Sequence, residues 1–425
     1  MKVLLVQSYL GGNEPVVYPI GLACLVSSLK NHEIRVFDSN LSANPFQDLG
    51  EILKDFHPDI IGISLRNIDS TNKKKVVFYY PFLKETVGVI KNYSAAPIVI
   101  GGSGFSMFAA EIMKDEPRID IGVMLEGEAS FQKLLEDPAA PHKVKSVYYR
   151  KNGEVIFTGG SDDKVDLDAA ALPDRKLIPV APYKKTREAI GIESKRGCAL
   201  TCVYCIYGFL NGKKMRLRSA QRVVDEIEVL AKEGVEQFTF VDSVFNLPQD
   251  HAVKICTEIK RRGLSLKWSA WFTEKGLTKE FIELLKSAGC RNIILSPDGF
   301  SDEVLQNLGK NIHTRDIIAT YDLLKSIDGF EVSYNFFKNP PGQSVKAFFR
   351  LIFFVLKAKI QMGRRVHFEF NSMRIEPNTK LYDLALKNGS IQAGETLLYP
   401  KYFTNTSTLF IEKIFNLLLT LKDLK

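Results

Sequence analysis

The sequence predicts an α/β protein with an N-terminal doubly wound, Rossmann-like domain, a partial (β/α)6 barrel and a short C-terminal helical region. Three observations carry that prediction. Short β-rich apolar runs alternate with helix-spaced apolar residues up to Glu136, a second alternation supplies six strands between Ala189 and Met373, and a polar, proline-bearing stretch lies between the two. A length of 425 residues suits two or three domains of about 150 residues each. The boundaries follow as 1–145 for the first domain, 146–187 for a linker with a β-hairpin, 188–390 for the barrel and 391–425 for the helical extension.

In the first domain the strand candidates are Val3–Val6, Ile34–Phe37, Ile60–Ser64, Pro97–Ile100 and Asp120–Val123. Helical spacing marks Ile20–Lys30, Phe46–Phe56, Phe78–Tyr93, Met107–Lys114 and Ala129–Glu136. Continuously apolar strands joined by crossover helices make a parallel sheet covered on both faces. Ligands of such sheets sit beyond the carboxyl ends of the strands. The segments expected there hold Ser8 and Leu10, then Ser64, Leu65, Arg66 and Asn67, then Gly101, Gly102, Ser103 and Gly104, then Glu126, Gly127 and Glu128. The Gly-Gly-Ser-Gly turn would let a ligand reach bare backbone, since no Cβ stands in the way. No G-x-G-x-x-G follows the first strand, which disfavours a dinucleotide. Asn152-Gly153 between short β-rich runs signals a hairpin, and Pro173, Pro179 and Pro182 mark the linker.

The barrel's strand candidates are Ala189–Glu193, Gln237–Val241, Leu266–Ala270, Asn292–Ser296, Glu331–Phe336 and Val366–Met373. Helical spacing fills the intervals at Ala220–Glu233, Gln249–Arg262, Thr278–Ala288, Asp302–Leu308, Thr314–Ile327 and Ser344–Ile360. Chemistry on such a barrel belongs at the carboxyl ends of its strands. Just after the first strand stand Cys198, Cys202 and Cys205. Three thiolates so close can hold a metal or a cluster. Structural zinc normally closes with four ligands, an iron–sulfur cluster normally takes four thiolates, and three would leave one iron open to a small molecule. The six histidines are scattered without ligand spacing.

The Cys198/Cys202/Cys205 spacing, with Tyr204 before the last cysteine, resembles the signature of the radical S-adenosylmethionine (SAM) superfamily. Phe240-Val241-Asp242-Ser243-Val244-Phe245, Lys286-Ser287-Ala288-Gly289-Cys290, Asp302–Lys310 and Pro377-Asn378-Thr379-Lys380-Leu381-Tyr382 resemble its later motifs in order. Behind a doubly wound domain, that order resembles the superfamily's cobalamin-binding branch. The resemblance implies a cobalamin-dependent radical SAM C-methyltransferase acting on an unactivated carbon, such as one in a peptide or protein side chain. A glutamine or arginine of methyl-coenzyme M reductase is one family-style substrate. The alternative is a cyclisation or rearrangement with the same cofactors. Implied cofactors are a 4Fe-4S cluster on Cys198, Cys202 and Cys205, SAM held by Tyr204, Asp242, Ser296, Asp298 and Arg374, and methylcobalamin on the first-domain loops. The D-x-H-x-x-G motif is absent, implying base-off cobalamin without a protein histidine, with Arg66 as the residue at the lower face of cobalt. Asp298 stands where the family often has Gly-x-Glu-Ser, and Asn339-Pro340-Pro341-Gly342-Gln343-Ser344 departs from the usual Gly-x-Pro-Gly-Glu-Thr.

Composition agrees with a globular chain: 45% hydrophobic and 25% charged residues exclude a disordered, collagen-like or disulfide-stapled class. The other three cysteines stand alone, as in a reducing, cytoplasmic protein, and no apolar run reaches the roughly 18 residues of a spanning helix. A monomer is expected. Of the net charge of +8, six positive residues crowd into Lys195, Arg196, Lys213, Lys214, Arg216 and Arg218 with no acid between them. A basic rim beside a cluster loop points to an acidic electron donor, flavodoxin or ferredoxin, rather than nucleic acid.

Overall fold

Strands that are apolar at every position must be covered on both faces, and the chain builds two mainly parallel sheets around such strands. The computed structural model describes residues 1–29, 31–186 and 188–423. The predicted helix end at Lys30, and residues 424 and 425 of the predicted C-terminal region, lie outside the described residues. Two compact units result, Met1–Ile190 with Thr396–Tyr399, and Gly191–Glu395 with Pro400–Lys425.

The first unit holds β1 (Lys2–Gln7), β2 (Glu33–Asp38), β3 (Ile60–Ser64), β4 (Ile98–Gly101), β5 (Ile121–Val123), β6 (Val147–Lys151) and β7 (Glu154–Phe157). They form one sheet in the order β2-β1-β3-β4-β5-β6-β7. β1 to β5 run parallel, and β6 and β7 antiparallel. Its helices are α1 (Ile20–Ser28), α2 (Pro45–Phe56), α3 (Tyr80–Tyr93), α4 (Ser103–Met107), α5 (Ala109–Asp115) and α6 (Glu128–Glu136). Val3, Leu4, Leu5 and Val6 are wholly buried, as a central parallel strand requires. The hairpin of residues 146–187 extends this sheet instead of standing apart. The proline-bearing stretch also packs on the unit: Tyr183 Oη donates to Asp38 (2.6 Å), Tyr18 Oη to the Ile178 carbonyl (2.9 Å) and Ser27 Oγ to the Leu172 carbonyl (2.7 Å). Polar composition suggested a linker there, but backbone carbonyls and two buried tyrosines tie it down.

The second unit carries β8 (Gly191–Ile192), β9 (Lys195–Arg196), β10 (Arg216–Leu217), β11 (Gln237–Phe240), β12 (Lys267–Phe272), β13 (Cys290–Asp298), β14 (Glu331–Phe337) and β15 (Val366–Asn371). β8 and β11 to β15 form a six-stranded, all-parallel sheet in chain order, and β9 pairs with β10 apart from it. The helices are α7 (Tyr207–Leu210), α8 (Ala220–Lys232), α9 (Gln249–Arg261), α10 (Lys279–Ser287), α11 (Asp302–Asn307), α12 (Thr314–Lys325), α13 (Val345–Met362), α14 (Lys380–Lys387) and α15 (Leu409–Asp423). This is the predicted partial (β/α)6 barrel followed by a short helical region. On β14 the burial alternates, and Tyr334 and Phe336 meet Phe354 of α13 edge to face at 5.6 and 6.4 Å. Trp268 is core, its Nε1 donating to the Ala288 carbonyl (2.7 Å) while its ring meets Phe240 and Phe245.

Candidate active site

The cysteine loop leaves β9 through Gly197, whose φ of +98° suits glycine and where a Cβ would strike the Lys214 carbonyl. Backbone bonds then shape the loop: Cys198 N–H donates to Gly212 O (3.0 Å), Val203 N–H to Leu308 O (3.0 Å) and Cys205 N–H to Cys202 O (3.2 Å). Cys198 is buried, and Cys202 and Cys205 are half-buried. Burial pushes the Cys202 thiol up against the opposing pull of Lys310, and burial pushes Cys205 up to about 11, with the other two cysteines adding to it. Among the described residues no three of His, Cys, Asp and Glu stand close enough to hold one metal ion. In a 4Fe-4S cluster each cysteine takes a different iron, so three thiols on one short loop within electrostatic reach of each other fit that group.

Beside this loop, Lys310 gathers three of the predicted SAM residues. Its ammonium pairs with Asp298, donates to the Ser296 carbonyl (2.7 Å) and lies 5.4 Å from the centre of the Tyr204 ring. Tyr204 Oη donates to the same carboxylate, and its ring meets Phe337 edge to face at 4.8 Å. Asn335 Nδ2 donates to Ser296 Oγ (3.1 Å). Burial opposes the charge on Lys310, but Asp298, Tyr204 and Cys202 outweigh it and hold the ammonium well above its usual range. Burial, then Asp298, raises the Tyr204 hydroxyl. Asp298 is left-handed at φ +64°, a conformation held for a non-glycine residue by its surroundings.

Two predicted SAM residues go elsewhere. Asp242 is sealed within the unit, where it accepts from Ser194 N–H (2.8 Å), Ser194 Oγ, Lys195 N–H (3.3 Å) and Lys195 Nζ (3.2 Å). These four donors tie its carboxylate to the start of the cysteine segment. Arg374 is buried in an ion pair with Glu376 (2.5 Å). The basic rim also shrinks. Lys195 pairs with Asp242, Arg218 with Glu226 (2.6 Å) and Arg196 with Glu193 (2.9 Å), which leaves Lys213 and Lys214 as its exposed charges.

In the first unit the predicted loops converge at the carboxyl ends of β1, β3, β4 and β5. Ser8 N–H donates to Ser64 O (3.0 Å), Leu65 N–H to Gly101 O (2.8 Å) and Gly104 N–H to Leu65 O (2.9 Å), while Ser103 Oγ donates to Arg66 O (2.7 Å). The glycines serve this convergence. A Cβ on Gly102 (φ +100°) would stand 2.6 Å from the Leu65 carbonyl oxygen, and one on Gly104 would stand 3.0 Å from Asn67 backbone. The neighbouring loop, not open space, fills the gap at those two positions. Leu10 N–H donates to Asn40 (2.8 Å) and Glu126 accepts from Val165 N–H (3.1 Å). Glu128 opens α6 behind Gly127. Ser8 Oγ, between β1 and β3 where the strand order reverses, is buried without a hydrogen-bond partner. An orphaned hydroxyl at the switch point fits a ligand bound there.

Comparison with known proteins bears on both units. The radical SAM superfamily model matches residues 192–355, and the B12 binding domain model matches residues 11–135. The chain carries a B12 binding domain followed by a radical SAM domain. An uncharacterized methyltransferase of Pyrococcus horikoshii is 26% identical over 396 residues, covering 91% of this chain and 82% of that protein. The hopanoid C-3 methylase of Methylococcus capsulatus is 24% identical over 340 residues, covering 76% of this chain and 61% of its own length. The fold is shared with the radical SAM methyltransferase TsrM of Kitasatospora setae, a structure with cobalamin and a 4Fe-4S cluster bound (TM-score 0.78, 20% identity, 92% of this chain and 79% of that one). These two relatives are named as a methyltransferase and a methylase, and the solved neighbour as a radical SAM methyltransferase.

One residue of this side-chain cluster, Lys310, was not among those expected from the sequence. Lys310 ends the Asp302–Lys310 segment that resembles a family motif, three residues beyond α11, and its ammonium turns inward to Asp298. Its signal was a basic residue at the close of a short helix near a strand end.

Proposed function

We propose that this chain is a cobalamin-dependent radical SAM C-methyltransferase that methylates an unactivated carbon. The observation that supports this most is the meeting of Tyr204, from the cysteine signature, with Ser296 and Asp298 at the end of β13, around Lys310 and beside Cys202. When bound, the cluster supplies the electron that cleaves SAM, and cobalamin carries the methyl group. The thiolates of Cys198, Cys202 and Cys205 would hold the cluster, with the Lys310 charge next to Cys202 offsetting its negative charge. Ser296 and Asp298 would present oxygens to the SAM ribose, Asp298 being fixed by Lys310. Tyr204 would position that carboxylate from the cluster side, and Arg374, released from Glu376, would hold the SAM carboxylate. Ser8, Leu10, Ser64 to Asn67, Gly101 to Gly104 and Glu126 to Glu128 would take a base-off corrinoid. Arg66 would stand near the lower face of cobalt, where a cation cannot coordinate and favours the low-valent metal.

The substrate reading is a peptide or protein side chain, such as a glutamine or arginine of methyl-coenzyme M reductase. The protein would act as a cytoplasmic monomer with an acidic flavodoxin or ferredoxin meeting Lys213 and Lys214. Anaerobic reconstitution with cobalamin tests the whole. Four irons and one cobalt per chain are expected, with S-adenosylhomocysteine and 5′-deoxyadenosine formed in equal amounts during turnover. Zinc alone would overturn the reading, and 5′-deoxyadenosine without S-adenosylhomocysteine would replace methyl transfer by a cyclisation or rearrangement.

A further inference from the structure

Helix α13 has two apolar faces, and only one of them is used by the fold. Phe348, Leu351, Phe354, Ala358 and Met362 are buried, with Phe354 stacked on Phe300 at 4.6 Å. On the opposite side Val345, Phe349, Phe353, Leu356 and Ile360 follow one another at helical spacing and are 45, 63, 70, 57 and 83% exposed. Helix α15 lies alongside, its Phe415 meeting Phe348 at 5.3 Å, and it adds exposed Phe410, Ile414 and Leu417. A contiguous apolar patch of this size marks a contact surface.

Charge says what it contacts. α13 contains no Asp or Glu, and Lys346, Arg350 and Lys357 each follow a stripe residue, so they line one edge of the stripe. A second copy packed symmetrically on α13 would bring that basic row against its own image with no carboxylate on the helix to meet it. An anionic bilayer would receive both halves, the apolar side chains below the headgroups and the basic row among them. No helix among the described residues is long and apolar enough to cross a membrane, so α13 would lie in the interfacial plane. We infer that the outer face of α13, continued by α15, docks the protein on an anionic lipid surface. This stands independently of the proposed reaction, because neither helix carries a cofactor residue.

Co-sedimentation of the full chain tests it, using vesicles of phosphatidylcholine and phosphatidylglycerol in equal parts beside vesicles of phosphatidylcholine alone. Binding is expected on the anionic vesicles and should fade as salt rises. The triple variant Phe349→Ser, Phe353→Ser, Ile360→Ser should lose it, while its urea transition and its mass by light scattering match the parent's. Lys346→Gln, Arg350→Gln and Lys357→Gln should each weaken binding about fivefold. Equal binding by the serine variant, equal binding to neutral vesicles, or no binding at all would overturn the inference. So would a parent dimer that the serine substitutions convert to monomer, which would assign the face to a second copy.

Discussion

Glu274 reports how tightly the second unit excludes water. It follows β12, is 5% exposed, and has an Oε1 with no hydrogen-bond partner. Asn246 clamps both its neighbours, donating to the Thr273 (2.9 Å) and Lys275 (3.0 Å) carbonyls. Burial pushes the carboxyl from 4.5 up to about 7, against its own backbone N–H and the charge of Lys310, while Asp298 and Asp316 add to the rise. At about 1.4 kcal/mol per pKa unit, that rise is worth about 3 kcal/mol. The folded state keeps a proton that the unfolded chain releases. Its contribution is therefore complete below about pH 4.5 and is lost as pH climbs to about 7. Glu274→Gln fills the same space and cannot ionise. Relative to the parent, the variant should gain up to about 3 kcal/mol between pH 4.5 and pH 8. Urea titration followed by tryptophan fluorescence measures this on the second unit alone, because the chain's 2 tryptophans, Trp268 and Trp271, both lie on β12. A stability difference between variant and parent that is the same at both pH values would refute the reasoning, as would a variant that loses stability on going to pH 8.

Lys310→Met leaves the Asp298 carboxylate buried without its cation and should cost the second unit about 3–5 kcal/mol in the same urea assay. Adding Asp298→Asn should restore at least half of it. Gly102→Ala forces a side chain into φ +100° and onto the Leu65 carbonyl, so at least about 1–3 kcal/mol of strain should appear as reduced cobalt retention after gel filtration with cobalamin. Cys202→Ala should retain cobalt but lose the cluster iron, measured by metal analysis after anaerobic reconstitution. Asp242→Asn removes the charge opposite a fully buried Lys195 and should lower the thermal midpoint of the metal-free chain, a loss that a purely SAM-binding carboxylate would not cause.

Strand positions were readable because parallel strands announce themselves by unbroken apolar runs, and Val3–Val6 or Ile293–Leu295 had nowhere to be except a core. Partners across long stretches of chain were not readable. Asp242 sat at a strand end where a ligand carboxylate would be welcome, yet its cation comes from Lys195, 47 positions earlier. The basic run between Lys195 and Arg218 looked unpaired for the same reason, since Asp242 and Glu226 lie outside that window. Gly102 and Gly104 showed where bulk is forbidden but could not say that the Leu65–Asn67 backbone was what forbade it. Tyr204 was expected from the cysteine motif, and Ser296 and Asp298 from a strand end where the chain departs from the family pattern; that all three meet Lys310 had to be seen in three dimensions.

The first unit closes late. Thr396–Tyr399 belongs to it although about two hundred residues of barrel intervene, and within it Tyr399 meets the ring of Phe78 at 5.0 Å while Thr396 Oγ1 donates to Glu111 (3.1 Å). During synthesis at about 5–20 residues per second, the sheet of the first unit waits roughly 10–40 s for its last four residues. Through that interval Phe78 lacks the Tyr399 ring, and a nascent chain halted within the barrel carries an unfinished first unit. A chain cut at the end of the N-terminal sheet would keep that unfinished state permanently.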